Sequence, residues 1–164
     1  MPKLITRSEA ISRIEKEIKT GECLSCHLIA NRKDLILFKG RSCTVMFSEF
    51  PRTWGQTMII LHAHKISFSE MEMDEWTEIN EAIRKTSIVT EKILKPHRVF
   101  IARTGSSDNL LNTCPHIHFN IIPIYDVDQR SSDIFSWEHG LFSGEVEEWS
   151  ELYGKMSSAW KLVD

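Results

Sequence analysis

The amino-acid sequence predicts an α+β domain, with an antiparallel sheet of about five strands, one long helix and flanking terminal helices. Short runs rich in β-branched and aromatic residues, separated by turn residues, predict the strands. A long stretch of apolar residues at helical spacing lies between two of these runs and predicts the main helix. The beginning and the tail of the chain carry the same amphipathic pattern and predict the terminal helices.

In the first part of the chain, the pattern predicts one helix and three strands. Ser8 is placed to cap the helix, which Gly21 ends. The runs KDLILFKG and SCTVMFSEF, separated by Gly40, predict a hairpin. The run TWGQTMIILH predicts a third strand after a turn at Pro51.

The rest of the chain predicts the long helix, two more strands and a last helix. Ser69 and Glu72 have the form of a capping box at the start of the long helix, and Pro96 ends it. RVFIAR predicts a strand, TGSSDN a loop and PHIHFNIIPIY another strand. EVEEWSELYGKMSSAWKLV predicts the last helix, with Gly154 as a weak point.

The composition is ordinary for one globular domain of 164 residues, with 41% hydrophobic and 26% charged residues. We predict a single domain over residues 1–164, with a core over about 20–125 and a C-terminal helical extension over about 132–164. A formal net charge of −3 does not suggest nucleic acid as a partner.

The chain begins without the apolar run of a secretory signal, and it contains no segment of membrane-spanning length. The sequence therefore predicts a cytoplasmic protein that has no membrane partner. The four cysteines of a cytoplasmic protein do not favour a disulfide framework, so metal binding or simple burial has to explain them.

The sequence CLSCH, residues 23–27, is open to four interpretations. The pattern C-x-x-C-H is typical of covalent haem attachment, but that chemistry normally requires export. A thioredoxin-like redox pair would lie between a strand and a helix, whereas here we predict a hairpin after the motif. Cys23 and Cys26 are otherwise two unrelated buried groups, or one half of a zinc site.

A zinc site requires two more ligands in a tetrahedral arrangement. His64 closes the third predicted strand and His116 opens the strand PHIHFNIIPIY, so both are suitably placed at strand ends. The spacing alone does not favour them over His27, His62 or His97.

The stretch CPHIHFNIIPIY, residues 114–125, is the strongest functional signal in the sequence. Period-2 spacing places His116, His118 and Asn120 on one face of a strand. Histidines on the solvated face of an edge strand are the simplest alternative. The preceding ARTGSSDNLLNT, however, is rich in residues that donate to an anion. A neutral histidine attacks phosphorus if its far nitrogen stays protonated and donors surround the phosphoryl oxygens.

These residues resemble the signature of the histidine triad (HIT) proteins, in which three histidines alternate with apolar residues. WGQTMIILHAHK resembles the upstream strand of the family, and CLSC matches the C-x-x-C of many bacterial members. The resemblance runs from roughly Cys23 to Tyr125 in the correct order. It implies a compact α+β fold, usually a homodimer whose sheets join, that acts on nucleotides at the α-phosphate.

The resemblance also implies roles for individual residues. His118 matches the nucleophile that forms the nucleotidyl–enzyme intermediate, and His116 matches the first histidine of the triad. The metal ligands of zinc-bearing bacterial members correspond to Cys23, Cys26, His64 and His116. A closed set of four ligands implies a structural Zn²⁺ that braces the catalytic strand.

At several functional positions the chain departs from the family pattern. Gln56 replaces a histidine of the upstream strand, and Asn120 replaces the third histidine of the triad. Ser48 falls where many members carry an acidic residue that binds ribose hydroxyls. Asn112 and Thr113 fall where the family often has a Gln and Ser pair that contacts phosphate. The resemblance thus implies that these residues line the nucleotide site.

The departures leave more than one function open. Amides donate to a phosphoryl oxygen but carry no positive charge. Galactose-1-phosphate uridylyltransferase and the diadenosine-polyphosphate phosphorylases resemble this chain in having an amide at the third position, and they favour transfer over hydrolysis. We predict a nucleotide hydrolase that cleaves a dinucleoside polyphosphate or a nucleotide conjugate. The alternatives are a nucleotidyltransferase or phosphorylase, a catalytically weak nucleotide-binding module, and a zinc-stabilised scaffold without a ligand.

Overall fold

The structure, a computed structural model, describes residues 2–103, 115–137 and 139–163. The helices and strands follow in this order: β1 (Lys3–Ile5), α1 (Arg7–Glu17), α2 (Leu24–Asn31), β2 (Ile36–Lys39), β3 (Cys43–Phe47), β4 (Thr57–Leu61), α3 (Met73–Leu94), β5 (Arg98–Ala102), β6 (His118–Ile124), α4 (Ser131–Ser136), β7 (Leu141–Ser143) and α5 (Val146–Trp160).

The main sheet has five antiparallel strands in the order β2-β3-β4-β6-β5. Together with the long helix α3 and the terminal helices α1 and α5, it confirms the predicted α+β class. A second sheet of two short strands pairs β1, near the start of the chain, with β7, which precedes α5. The sequence did not predict this small sheet.

Helix α3 covers one face of the main sheet, and the side chains of His118 and Asn120 in β6 lie on the other. Its buried stripe includes Ile79 and Val89, and Trp76 meets the ring of Phe119 at a centroid distance of 6.2 Å. Because side chains alternate along a strand, His118 and Asn120 face away from α3. Helix α5 packs against α3, so the tail shares the main core of the domain.

The predicted caps of α1 and α3 are wrong by a few residues. Helix α1 is capped by Thr6 rather than Ser8, because the Thr6 hydroxyl accepts the Glu9 N–H while the Glu9 carboxylate accepts the Thr6 N–H. The corresponding reciprocal pair at α3 joins Glu72 to Glu75, whereas Ser69 belongs to a short 3₁₀ turn before the helix.

The region after the C-x-x-C motif also differs from the prediction. Helix α2 begins within the motif, at Leu24, and the predicted hairpin of β2 and β3 comes only after this helix. The predicted weak point at Gly154 does not interrupt α5, which runs through it. Among the described residues, no helix combines the length and the apolar character that crossing a bilayer requires.

Candidate active site and metal centre

Four side chains from separate parts of the chain converge at one end of β4 and β6. Cys23 is the N-cap of α2 and Cys26 lies in its first turn, so the C-x-x-C spacing brings both thiols to the same helix end. His64 follows β4 by three residues, and His116 precedes β6 by two. Their potential ligand atoms all lie within 4.8 Å of one another.

The distances in this cluster fit a tetrahedral metal site. His116 Nδ1 lies 3.2 Å from Cys23 Sγ and 3.4 Å from Cys26 Sγ, and His64 Nδ1 lies 3.6 Å from Cys26 Sγ. Zinc bonds of about 2.3 Å to sulfur and about 2.0 Å to nitrogen, at tetrahedral angles, give a sulfur–nitrogen separation of roughly 3.5 Å. The set of two thiols and two imidazoles is one that zinc prefers.

A hydrogen bond to the main chain orients His116 for this role. Its Nε2–H donates to the Leu61 carbonyl at 2.7 Å, so the lone pair of Nδ1 points to the thiols. Burial lowers the pKa of His116 and favours the neutral imidazole that a metal ligand requires.

The other histidines that the sequence left open as ligands lie elsewhere. His27 Nδ1 contacts the Glu22 carboxylate at 3.2 Å. His62 bridges the Thr44 hydroxyl and a main-chain carbonyl, at 2.8 and 3.1 Å. His97 is exposed beside β5. The geometry therefore separates the four clustered residues from these three.

His118 is held with one ring nitrogen available on the site face. Its Nδ1–H donates to the carbonyl oxygen of His116 at 2.9 Å, which leaves the lone pair on Nε2. Burial has the largest effect on the pKa of His118 and lowers it. The hydrogen bond to the His116 carbonyl is second in size and raises this pKa. The positive charges of Arg52 and Arg103 lower this pKa further, so the imidazole is neutral at neutral pH.

The two amides that depart from the family pattern are hydrogen-bonded to each other. Gln56 Nε2 donates to Asn120 Oδ1 at 2.9 Å, and both side chains are almost completely buried, with exposed fractions of 0% and 2%. The Arg52 main-chain N–H donates to Gln56 Oε1 at 2.9 Å. Asn120 Nδ2 makes a longer contact of 3.5 Å to the Ala102 carbonyl. These bonds fix which end of each amide carries the donors.

Of the three other residues that the sequence assigned to the nucleotide site, the structure describes only Ser48. Ser48 is buried beyond the end of β3, and its N–H donates to the Gln56 carbonyl at 3.0 Å. Asn112 and Thr113 lie outside the described residues. Glu49, next to Ser48, forms an ion pair with Arg32 and faces a separate polar cleft.

The sequence did not single out Arg52, a buried arginine whose charge acts on His118. Its guanidinium carbon lies 5.3 Å from the ring centre of Trp137 and 5.8 Å from that of Phe135. Burial lowers the pKa of Arg52 to about 10. The only sequence signal was a cation four residues before Gln56, in a stretch that indicates nothing more than a turn.

Comparisons with known proteins identify relatives of this chain, although it matches no family model. An uncharacterised HIT-like protein of Saccharolobus solfataricus is 27% identical over 107 residues, which are 65% of this chain and 76% of that protein. A hypothetical histidine triad nucleotide-binding protein of Sulfolobus tokodaii has a similar structure at 18% identity, covering 85% of this chain and 93% of the other, with a TM-score of 0.67. A zinc-bound histidine triad family protein of Mycobacterium smegmatis, 13% identical, covers 86% and 97% with a TM-score of 0.62.

Two enzymes with this fold have also been solved. A uridylyltransferase is 16% identical and has a TM-score of 0.63; the match covers 96% of this chain but 51% of that one, so this chain spans about half its length. A diadenosine triphosphate hydrolase of Plasmodium falciparum is 16% identical, with coverage of 77% and 76% and a TM-score of 0.57. The fold of this chain is therefore that of the histidine triad proteins.

Proposed function

We propose that this protein is a HIT-family nucleotide hydrolase that cleaves a dinucleoside polyphosphate or a nucleotide conjugate at the α-phosphate. The observation that carries the proposal is the 2.9 Å hydrogen bond from His118 Nδ1 to the His116 carbonyl. It presents a neutral imidazole whose Nε2 lone pair is free to attack phosphorus, while the opposite nitrogen stays protonated.

The reaction follows from this geometry in two displacements. Nε2 of His118 attacks the α-phosphorus, a P–N bond forms, and the P–O bond to the leaving group breaks with its electron pair. The positive charge that develops on the ring is stabilised by the bond from Nδ1–H to the His116 carbonyl. Water then attacks phosphorus, the P–N electrons return to Nε2, and a nucleoside monophosphate and a proton are released.

We infer that Cys23, Cys26, His64 and His116 hold a structural Zn²⁺. The donor set and its separations support this assignment. A metal with four protein ligands has no open position for a substrate, so it supplies rigidity at this site. The chain itself transmits this rigidity, because His116 is both a member of the cluster and the acceptor that orients His118.

The remaining assignments form part of the same proposal. We propose that Gln56 and Asn120 shape the phosphate site through their buried hydrogen-bonded pair. From the family resemblance we assign Ser48 to the ribose end of the site. Asn112 and Thr113 are proposed from the family resemblance to contact the phosphate. We also propose a cytoplasmic homodimer, which light scattering would test by its mass in solution.

Nucleotidyl transfer to a second substrate is the main alternative, and binding without efficient turnover is another. The amide pair keeps both alternatives open, because neither Gln56 nor Asn120 adds positive charge at the phosphoryl group. The uridylyltransferase supports transfer, since its match includes nearly the whole of this chain.

Intact mass spectrometry after rapid, non-acidic quenching would test the proposal with a panel of dinucleotides and nucleotide sugars. We expect a nucleotidyl adduct whose mass identifies the nucleotide. His118→Ala is expected to abolish the adduct and to lower turnover by at least about a thousandfold, while the exposed His97→Ala leaves both unchanged. If the wild-type protein forms no adduct and turns over no substrate of the panel, the hydrolase proposal is wrong. If only an added acceptor discharges the adduct, the protein is a transferase.

A further inference from the structure

Arg52 lies on the same face of the sheet as His118 and is packed between separate parts of the chain. It stands in the loop between β3 and β4, and its guanidinium contacts the rings of Phe135 and Trp137 at the end of α4. A planar guanidinium stacks on aromatic rings with its N–H groups in the plane, so these contacts leave the edges of the group for other partners.

This buried cation has no acidic partner among the described residues. The ion pairs in that part of the chain join other arginines, such as Arg32 and Arg41, to carboxylates, and none includes Arg52. Within the same residues, Arg52 Nε is buried without a hydrogen-bond acceptor. A buried charge without a counter-charge is costly. An anionic ligand removes this cost.

Arg52 is also tied to the motif strand through the amide pair. Its main-chain N–H holds Gln56 Oε1, Gln56 donates to Asn120, and Asn120 lies two residues from His118 on the same face. The charge of Arg52 acts on His118 itself. Arg103 acts on His118 too, but its Nη2 donates to the Ile66 carbonyl at 2.8 Å and its guanidinium lies over Phe68.

We propose that Arg52 binds the phosphoryl oxygens of the nucleotide at His118 and supplies the positive charge that the amides Gln56 and Asn120 lack. This inference rests on the proposed function, because it assumes that the anion is the α-phosphate of a nucleotide. It assigns the residue that recognises the phosphate and distinguishes a nucleotide from the corresponding nucleoside.

Calorimetry with AMP and UMP, each compared with its nucleoside, tests the proposal on the full chain. Arg52→Gln is expected to weaken monophosphate binding by about 10- to 100-fold, the usual effect of losing a charge-assisted hydrogen bond, and to leave nucleoside binding unchanged. Arg98→Gln is the matched control. Arg98 also lies over an aromatic ring, that of Phe100, but it donates to the carbonyls of Val127 and Gln129. The Arg98→Gln variant is expected to leave the ratio of monophosphate affinity to nucleoside affinity unchanged.

The outcomes separate this inference from the proposed function. If Arg52→Gln changes neither affinity, or both equally, the inference is overturned while nucleotide binding stands. If the wild-type protein binds neither monophosphates nor nucleosides, the proposed function fails and the inference fails with it. Should Arg52→Gln not fold in a thermal melt, Arg52→Lys decides. Lysine does not stack on the two rings or bind phosphate in two-point fashion, so a several-fold loss is expected, and wild-type affinity would overturn the inference.

Discussion

The buried amide pair predicts strong energetic coupling between Gln56 and Asn120. We consider Gln56→Met and Asn120→Leu, which keep approximately the same volume but remove every hydrogen-bonding atom of the side chain. Each buried polar group left without a partner costs about 1 to 3 kcal/mol. Asn120→Leu leaves Gln56 Nε2 without its acceptor, and Gln56→Met leaves both Asn120 Oδ1 and the Arg52 N–H unsatisfied.

The double variant leaves only the Arg52 N–H unsatisfied, so two of the penalties in the single variants disappear. The double variant is therefore expected to be more stable than the sum of the single effects predicts by at least about 2 kcal/mol. Urea unfolding, followed by tryptophan fluorescence at fixed zinc and protein concentrations, measures the three free energies.

A distant core substitution provides the control for this cycle. Leu152→Ala lies in α5, which packs against α3, and we expect it to combine additively with Gln56→Met, within about 0.5 kcal/mol. Additivity of Gln56→Met and Asn120→Leu to the same precision would refute the reasoning, because it would mean that the two amides do not depend on each other.

Three further predictions concern the metal cluster, the turn before β4 and helix α5. Zinc at 100 times its Kd is expected to stabilise the protein by about 2.7 kcal/mol, and Cys26→Ser is expected to abolish this stabilisation. Cys43→Ala, outside the cluster, is the control and is expected to keep the zinc response. Equal shifts of the melting temperature in the two variants would contradict the assignment. Gly55→Ala is expected to destabilise the protein by about 1 to 3 kcal/mol, because Gly55 has φ +88° and a Cβ there would collide with Leu94. Gly154→Ala, whose Cβ meets no atom within 4 Å, should stabilise α5 by about 0.5 to 1 kcal/mol, and denaturant midpoints compare the two.

The sequence predicted the parts of the site that depend on local spacing. The period of two along β6 placed His118 and Asn120 on one face, as the register with β4 confirms. The C-x-x-C spacing indicated a pair of thiols, and the structure adds that α2 presents them from its first turn. Choosing His64 and His116 as their neighbours required the family resemblance, since nothing in the spacing measures a distance between separate strands.

The features that the sequence missed depend on contacts between distant segments. The strands β1 and β7 have three residues each, too few for a periodic pattern. They pair because the fold brings the start of the chain beside the segment that precedes α5. The burial of Arg52 against Phe135 and Trp137 is visible only in the structure, because these rings lie more than 80 residues away in the sequence. The pairing of Gln56 with Asn120 is of the same kind, because it is a property of two strands rather than of either one.

The hydrogen bonds around Leu61 explain why the proposed metal site would be useful two residues from the proposed nucleophile, His118. The Leu61 carbonyl accepts from His116 Nε2 at 2.7 Å, and its N–H donates to the Ile117 carbonyl at 3.3 Å. The Ile117 N–H donates to the Lys65 carbonyl at 2.8 Å. Hydrogen bonds of both His116 and Ile117 thus attach the segment that precedes His118 to the end of β4 and to the residues that follow it.

This arrangement makes the orientation of His118 depend on the backbone of a cluster residue rather than on a third histidine. The acceptor for His118 Nδ1 is the carbonyl of His116, whose ring is held by Leu61 and faces the thiols of Cys23 and Cys26. Small displacements of a nucleophile lower its reactivity strongly. Loss of the metal is therefore expected to reduce turnover under conditions where the fold persists, and zinc-depleted protein that stays folded and keeps full activity would contradict this coupling.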